Sequence, residues 1–408
     1  MEREAVTNPV VFAVATMDTK GEELAFVAQC LLGAGVSVKT VDVGTRAAPT
    51  VSPDVSRERV LGNTTLPIGD DRGAAVTAMG DALTSWLQSE CVAGRVAGVV
   101  GIGGSGGTAL VTAAMRELPI GLPKLMVSTM ASGNTAHYVD CSDITMMFSV
   151  VDVAGLNVVS EKILSNAAHA MAGMVSHKLA SQESRSALGM TMFGVTTPCV
   201  TMVRKTLETK GYDCLVFHAT GSGGRAMEQL VDSGLIGGVL DITTTEVADE
   251  VVGGVLPAGP ERFERLLAKG VPLVLSVGAA DMVNFGGIET VPKEFRDRTL
   301  HVHNAQVTLM RTNEDENRRI AQWIADKLNH STSPLTLMIP EGGLSTLDAP
   351  DQAFYDPAAN AALFDELEQQ IQQTGDRKII RLPYHINESE FAQALVAEFE
   401  ALCPTTGH

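Results

Sequence analysis

The sequence predicts an α/β protein of two Rossmann-like domains, each a mostly parallel sheet flanked by helices. Three observations carry this. Short runs of β-branched and apolar residues alternate with amphipathic segments along the chain. Glycine-rich turns join several of those runs to the segment that follows, and 39 glycines in 408 residues suit many strand–helix turns. The plan of the first half recurs in the second, across a polar stretch at residues 182–186. The domains are expected at residues 1–182 and 187–408, an ordinary size for each.

Residues 9–15 are the first strand, and TMDTKGEE follows at residues 16–23. Leu24, Val27, Ala28 and Leu31 then recur at helical spacing, Gly33 and Gly35 stop the helix, and residues 36–43 are the second strand. In open parallel sheets ligands sit outside the carboxyl ends of the strands, so Asp18 and Lys20 are candidate ligand contacts. Asp18 is also a candidate Mg²⁺ ligand and Lys20 a candidate catalytic cation. The plainer reading is that Thr16 or Asp18 caps the helix, with Glu22 and Glu23 complementing its dipole; both readings can hold at once. Residues 46–71, with Pro49, Pro53 and Pro67, read as irregular: a lid, an interface arm or a partly disordered stretch. Residues 73–93 are helical in pattern.

Residues 95–115, RVAGVVGIGGSGGTALVTAAM, organise the chain. A short apolar run, as a buried parallel strand should be, leads into Gly103, Gly104, Ser105, Gly106 and Gly107, and Thr108 opens a helix. A strand, a turn without bulk and a helix start leave backbone N–H groups at a positive dipole end, which is an anion cradle. Three motifs overlap here. Gly101-x-Gly103-x-x-Gly106 fits a dinucleotide fingerprint, but the next strand ends in Ser128 and Thr129 rather than an acid. Gly101 to Gly106 followed by Thr108 resembles a P-loop, with Gly107 where the lysine belongs and Thr108 as a candidate Mg²⁺ ligand. Gly103-x-Ser105-x-Gly107 fits a nucleophile elbow. A phosphate site, a serine nucleophile and a turn made tight only for strand–helix packing are the three readings; the first is preferred.

Residues 124–129 are a strand, followed by a small-residue turn in which Ser128, Thr129, Ser132 and Asn134 can hydrogen-bond a ligand. A further strand is expected at residues 143–152 and a long helix at 158–179. In the second half, residues 187–195 are a strand, Pro198 fits the first turn of a helix, and residues 212–218 are a strand. Thr220 then leads into Gly221, Ser222, Gly223, Gly224 and Arg225, so that a strand–helix–strand–GSGG–helix order is read twice. Arg225 suits a phosphate or a carboxylate, or is simply a solvated helix-start residue. Two such turns suggest one ligand in a cleft between the domains, or two separate ligands. Strands follow at residues 238–242 and 271–277, and everything after about residue 285 reads as a closing region. His301 and His303 would share a strand face, as a metal pair or a packed pair. Residues 314–328, 359–372 and 389–402 are helices, 335–340 and 378–382 strands; the last helix is free to pack back on the first domain.

Composition narrows the partners. A net charge of −18 and 4% aromatics argue against nucleic acid, while backbone amides still allow a small phosphate ligand. The six cysteines are scattered and read as reduced thiols of a cytoplasmic protein, with Cys199 a candidate reactive thiol at a helix start. No run of about 18 apolar residues predicts a membrane span, and the first residues lack an apolar signal core.

Taken together, TMDTKGEE (residues 16–23), GIGGSGGT (101–108), STMASG (128–133), FGVTTP (193–198), HATGSGGRAM (218–227), DITTTEVADE (241–250), DMVNFG (281–286), TLMRT (308–312), PEGGLS (340–345) and HIN (385–387) form a specific set spanning the chain. They resemble an uncharacterised bacterial and plant family, the one that contains the N-terminal domain of the tomato mosaic virus resistance protein. The resemblance implies two Rossmann-like domains, binding of ATP with Mg²⁺, and self-association as a homodimer or larger homo-oligomer. Carried over residue by residue, it puts ATP on Gly103, Gly104, Ser105, Gly106, Gly107 and Thr108, then on Asp18, Lys20, Ser132 and Gly133. Glu388 stands as the acid after HIN, a modest departure that leaves that turn's role open. The expected function is a nucleotide-binding protein, with an ATP-dependent transferase or ligase as its enzymatic form. Arg225 and Gly221–Gly224 would then hold a small acidic metabolite. The rivals are a hydrolase using Ser105, with His303 or His385 as base and Asp281 as orienter, and a regulatory module that binds without turnover.

Overall fold

A computed structural model of the chain describes residues 9–67, 71–177, 186–331 and 333–403. It divides into two compact units, Met1–Ser181 and Gln182–His408. Apart from Ser186, the polar boundary read at residues 182–186 lies outside the described residues.

The first unit runs β1 (Val10–Ala15), α1 (Met17–Gly33), β2 (Val38–Asp42), α2 (Arg57–Leu61), α3 (Arg72–Val92), β3 (Val96–Gly103), α4 (Ser105–Arg116), β4 (Lys124–Ser128), α5 (Ala136–Val139), β5 (Thr145–Phe148) and α6 (Val158–Ser176). The sheet order is β2-β1-β3-β4-β5, and every pairing is parallel. Strand β1 shows why its residues are all apolar. Phe12 and Val14 pack on one face with Leu83 and Leu110, while Val11, Ala13 and Ala15 pack on the other with Leu24 and Met171. A central parallel strand is covered on both sides, so it alternates between two cores rather than between core and water. The stretch read as lid, arm or disorder is fastened over its described part. Asp54 Oδ2 accepts from Thr40 N and Oγ1 at 2.8 and 2.9 Å, and Arg57 reaches Ala47 O at 2.7 Å. Residues 68–70 of that stretch lie outside the described residues.

The second unit runs β6 (Ala187–Met192), α7 (Thr197–Thr209), β7 (Asp213–His218), α8 (Ser222–Asp232), β8 (Gly238–Thr243), α9 (Thr245–Val252), α10 (Glu264–Lys269), β9 (Leu273–Gly278), β10 (Met282–Phe285), β11 (Leu300–Asn304), β12 (Val307–Arg311), α11 (Glu314–Leu328), β13 (Leu335–Pro340), α12 (Pro357–Gln370), β14 (Arg377–Leu382) and α13 (Ser389–Leu402). Six of these strands form a parallel sheet in the order β14-β13-β9-β8-β6-β7. The supposed closing region contains an antiparallel sheet, β10-β12-β11, inserted between β9 and α11. The final helix belongs to this unit's core: Phe391, Leu395 and Phe399 pack with Val200, Val203 and Leu207 of α7. No helix among the described residues is long and apolar enough to cross a membrane.

Both sheets begin alike, the second strand on one side of the first and the third on the other. The connection therefore reverses direction between β1 and β3, and again between β6 and β8. Loops diverge at such switch points and open a crevice at the carboxyl ends of the strands.

Candidate functional site

At the first switch point, Val14 pairs with Gly101 in parallel register, so the segments leaving β1 and β3 start side by side. The β3 segment is the glycine turn. Helix α4 begins within it, at Ser105 rather than at Thr108, with Gly104 as N-cap at φ −82° and no side-chain cap. Thr108 N donates to Gly104 O at 2.8 Å, closing the first helical turn. The amides of Gly104, Ser105, Gly106 and Gly107 have no acceptor among the described residues. These are the orphan donors every helix start leaves, here without the capping side chain that usually takes one of them.

The glycines divide into two kinds. A Cβ at Gly103 would lie 2.8 Å from Gly107 C and Thr108 N, and one at Gly101 would lie 2.6 Å from Met126 Sδ and 2.7 Å from Val111 Cγ1. Those two are glycine because the helix packs on the strand. At Gly104 and Gly107 the nearest atoms would be 3.8 and 3.7 Å away, so nothing inside the protein excludes a side chain.

Other expected contacts lie on the segments that leave the neighbouring strands β1 and β4. Lys20 breaks the regular helix of α1 with φ −128° and ψ 21°. Its backbone N–H donates to Thr16 O at 2.9 Å, and its side chain makes no ion pair or hydrogen bond among the described residues. The β4 loop adjoins the nest through Thr129 N to Gly103 O, at 3.3 Å, and leaves Ser132 and Gly133 exposed.

Two expected metal contacts have other work. Thr108 is buried, with its hydroxyl 2.6 Å from Ser128 Oγ and 3.4 Å from Gly103 O, so it ties β3 to β4 and turns no oxygen outward. Ser128 is equally buried and also accepts from Met130 N. Asp18 Oδ2 accepts from Arg46 N and Ala47 N at 3.2 and 3.3 Å, which leaves one carboxylate oxygen. Asp42, which the motifs did not flag, completes this corner by accepting from Met17 N at 3.0 Å and Gly44 N at 2.8 Å. Burial pushes its carboxyl above the usual range, and the charge of Asp18 adds to that. A lone acid closing an apolar strand was its only sequence signal.

The second glycine turn is a different object. It follows β7, the edge strand, not the strand at the switch point. In the first unit the turn follows the third strand and here the second, so the repeated order read from sequence does not hold. Gly221 N, at φ 80°, donates to Glu246 Oε2 at 2.7 Å, so a carboxylate of the protein already occupies that amide. Gly224 is glycine because a Cβ there would lie 2.0 Å from Glu246 Oε1 and 2.3 Å from Arg262 Nε. Arg262 is the centre: fully buried, it meets Glu228 and Asp241 at 2.6 Å each and Glu246 at 2.7 Å. Burial opposes its charge, but the three carboxylates outweigh burial and hold the guanidinium protonated. Arg225 lies exposed on the first turn of α8.

The hydrolase constellation is not assembled. Asp281 accepts from Ser345 Oγ at 2.7 Å and orients no histidine. His385 uses both ring nitrogens locally, Nε2 to Ser345 O at 2.9 Å and Nδ1 to Asn387 N at 3.1 Å. His303 is exposed on β11, and His301 has its ring 6.3 Å from Phe354. Among the described residues no three His, Cys, Asp or Glu side chains are grouped to hold a metal ion. Cys199 is buried, which pushes its thiol up to about 12 and removes it as a nucleophile.

Residues 9–180 match the family model described as the N-terminal domain of Uncharacterised protein family (UPF0261), and residues 185–403 match that of its C-terminal domain. The UPF0261 protein of Rhizobium meliloti is 53% identical over 394 residues, covering 95% of this chain and 98% of that protein. The ToMV resistance protein Tm-1 of Solanum lycopersicum is 47% identical over 427 residues, covering 98% of this chain and 57% of the tomato protein. Among solved structures, the UDP-GlcNAc 2-epimerase of Methanocaldococcus jannaschii covers 98% of this chain and 93% of its own at 7% identity, with a TM-score of 0.22, too low to bear on the fold. The resemblance read from the motifs thus extends over both domains, and the chain belongs to the UPF0261 family.

Proposed function

We propose that the first unit binds the phosphates of a nucleotide, ATP with Mg²⁺, in the crevice between the segments leaving β1 and β3. The observation that carries this reading is the set of four unengaged amides at Gly104–Gly107, at the start of a 12-residue helix and at the switch point of the sheet. Lys20 adds a cation with no other partner among the described residues. The residues fit phosphate better than they fit a protein-held metal. Mg²⁺ would be carried mainly by the phosphates, since Thr108 faces inward and Asp18 is already engaged by the amides of Arg46 and Ala47. The chain's own part is to hold and orient the phosphates through backbone donors and to balance their charge through Lys20. A cytoplasmic, self-associating protein is part of the same reading.

Calorimetric titration of the full chain with ATP–Mg²⁺ tests it: saturable heat is expected, and a folded protein that gives none overturns the reading. ATP consumption when small carboxylic acids are supplied would mark a transferase or ligase. Binding without consumption would mark a regulatory module.

A further inference from the structure

At the carboxyl edge of the second sheet, outside β13 and β14, lies a cavity of about 410 Å³. Glu341, the residue after β13, and Arg381, near the end of β14, form one wall. Pro350, Tyr355, Pro357 and Phe364 form the other. Its size is that of a small-molecule site, and its position is where parallel sheets place their ligands.

Its charge excludes an anion. The start of α12 is already capped, because Asp356 Oδ1 accepts from Ala359 N at 3.0 Å. The Arg381 guanidinium is already shared by Glu341 at 2.9 Å and by Asp365 and Glu368 at 3.0 Å each. Three carboxylates against one guanidinium leave two negative charges in excess. Behind the wall, Arg311 and Asp348 stand 3.8 Å apart and cancel. Tyr355 is 47% exposed, and among the described residues its ring stacks on no other aromatic and its hydroxyl makes no hydrogen bond. A bare aromatic face beside a carboxylate that shares one guanidinium with two others attracts a cation, and two prolines with Phe364 supply apolar contact for its body.

We infer that this cavity binds an organic cation, a primary amine or guanidine on an apolar body. Its charged end would sit between the outer oxygen of Glu341 and the ring of Tyr355. The inference concerns the second unit alone and stands or falls apart from the nucleotide reading.

The test is titration of the full chain at low salt with tyramine, agmatine and cadaverine, and with 4-hydroxyphenylacetate as the acidic counterpart of tyramine. Saturable binding of at least one amine and none of the acid is expected. Glu341→Gln and Tyr355→Ala should each weaken the amine at least about tenfold, the scale of one charged contact. Tyr355→Phe should retain it. Because Tyr355 is half exposed, its variants keep the test valid if Glu341→Gln disturbs Arg381. Absence of saturable binding by all three amines, equal binding of the acid, or unchanged binding by both Glu341→Gln and Tyr355→Ala would overturn the inference.

Discussion

Between Gly101 and Gly107 the same residue type answers to two different causes, and substitution separates them. At Gly103 a methyl group would meet backbone 2.8 Å away, which cannot yield as a side-chain tip can. Gly103→Ala should therefore destabilise the first unit by about 1–3 kcal/mol, read by urea unfolding. Gly104 has room for a side chain and an ordinary φ. Gly104→Val should cost no more than about 1 kcal/mol, as the loss of a favoured N-cap residue, yet weaken ATP–Mg²⁺ at least about tenfold, because it adds bulk at the mouth of the free amides. Equal binding by this variant and the parent would count against the nest. Cys199 supplies a chemical check of burial: with its thiol pushed up to about 12, it should stay unlabelled by iodoacetamide in the folded chain at neutral pH and react once urea is added. Peptide mapping after labelling reads this directly. The expectation of a reactive cysteine failed because a helix start lowers a thiol's pKa only when the sulfur is also reached by water.

At the scale of elements, two near-identical strings, GGSGG and GSGG, fold into unlike turns. Residue spacing made both legible as strand–turn–helix junctions. It did not reveal which strand each follows in the sheet, nor that Glu246, 25 residues after Gly221, would fill the second turn's amide. Sequence carries no mark for Arg262 either, since its three partners come from α8, β8 and α9. Such a network is held together by its geometry, and losing one member leaves buried charge uncompensated. Arg262→Met should cost about 3–5 kcal/mol in the second unit. Arg225→Met, on an exposed residue, should cost at most about 0.5 kcal/mol. Unfolding curves followed through Trp323, the tryptophan of the second unit, distinguish the two outcomes.

For the molecule as a whole, the pH dependence of stability should carry the signature of a buried acid. Burial first, and the neighbouring Asp348 second, push the Asp281 carboxyl up to about 7, and its Oδ1 has no hydrogen-bond partner among the described residues. Unfolded, an aspartate titrates near about 3.9. Between these values the folded chain holds a proton that the unfolded chain does not, so this group's contribution falls as pH rises through that window and is flat above it. Asp281→Asn removes the effect. Its unfolding free energy, measured through Trp323 in a Trp86→Phe background, should fall less steeply from pH 5 to 7 than the parent's, by about one proton. An unchanged slope would mean Asp281 is ionised throughout. Trp86 and Trp323 fall one in each unit, which lets two separate transitions be told apart.

The class of fold, the two-domain plan, the family and the places where strands give way to turns are all legible in the amino-acid order. Each of these depends on local periodicity and on residues adjacent in the chain. Folding in three dimensions set the strand order, which put the first glycine turn at a switch point and the second at an edge. It alone turned Thr108 inward, gave Asp18 the amides of Arg46 and Ala47, and closed Glu246 onto Gly221. The physical reason is that a donor or a carboxylate is available to a ligand only if no group distant in sequence has already satisfied it.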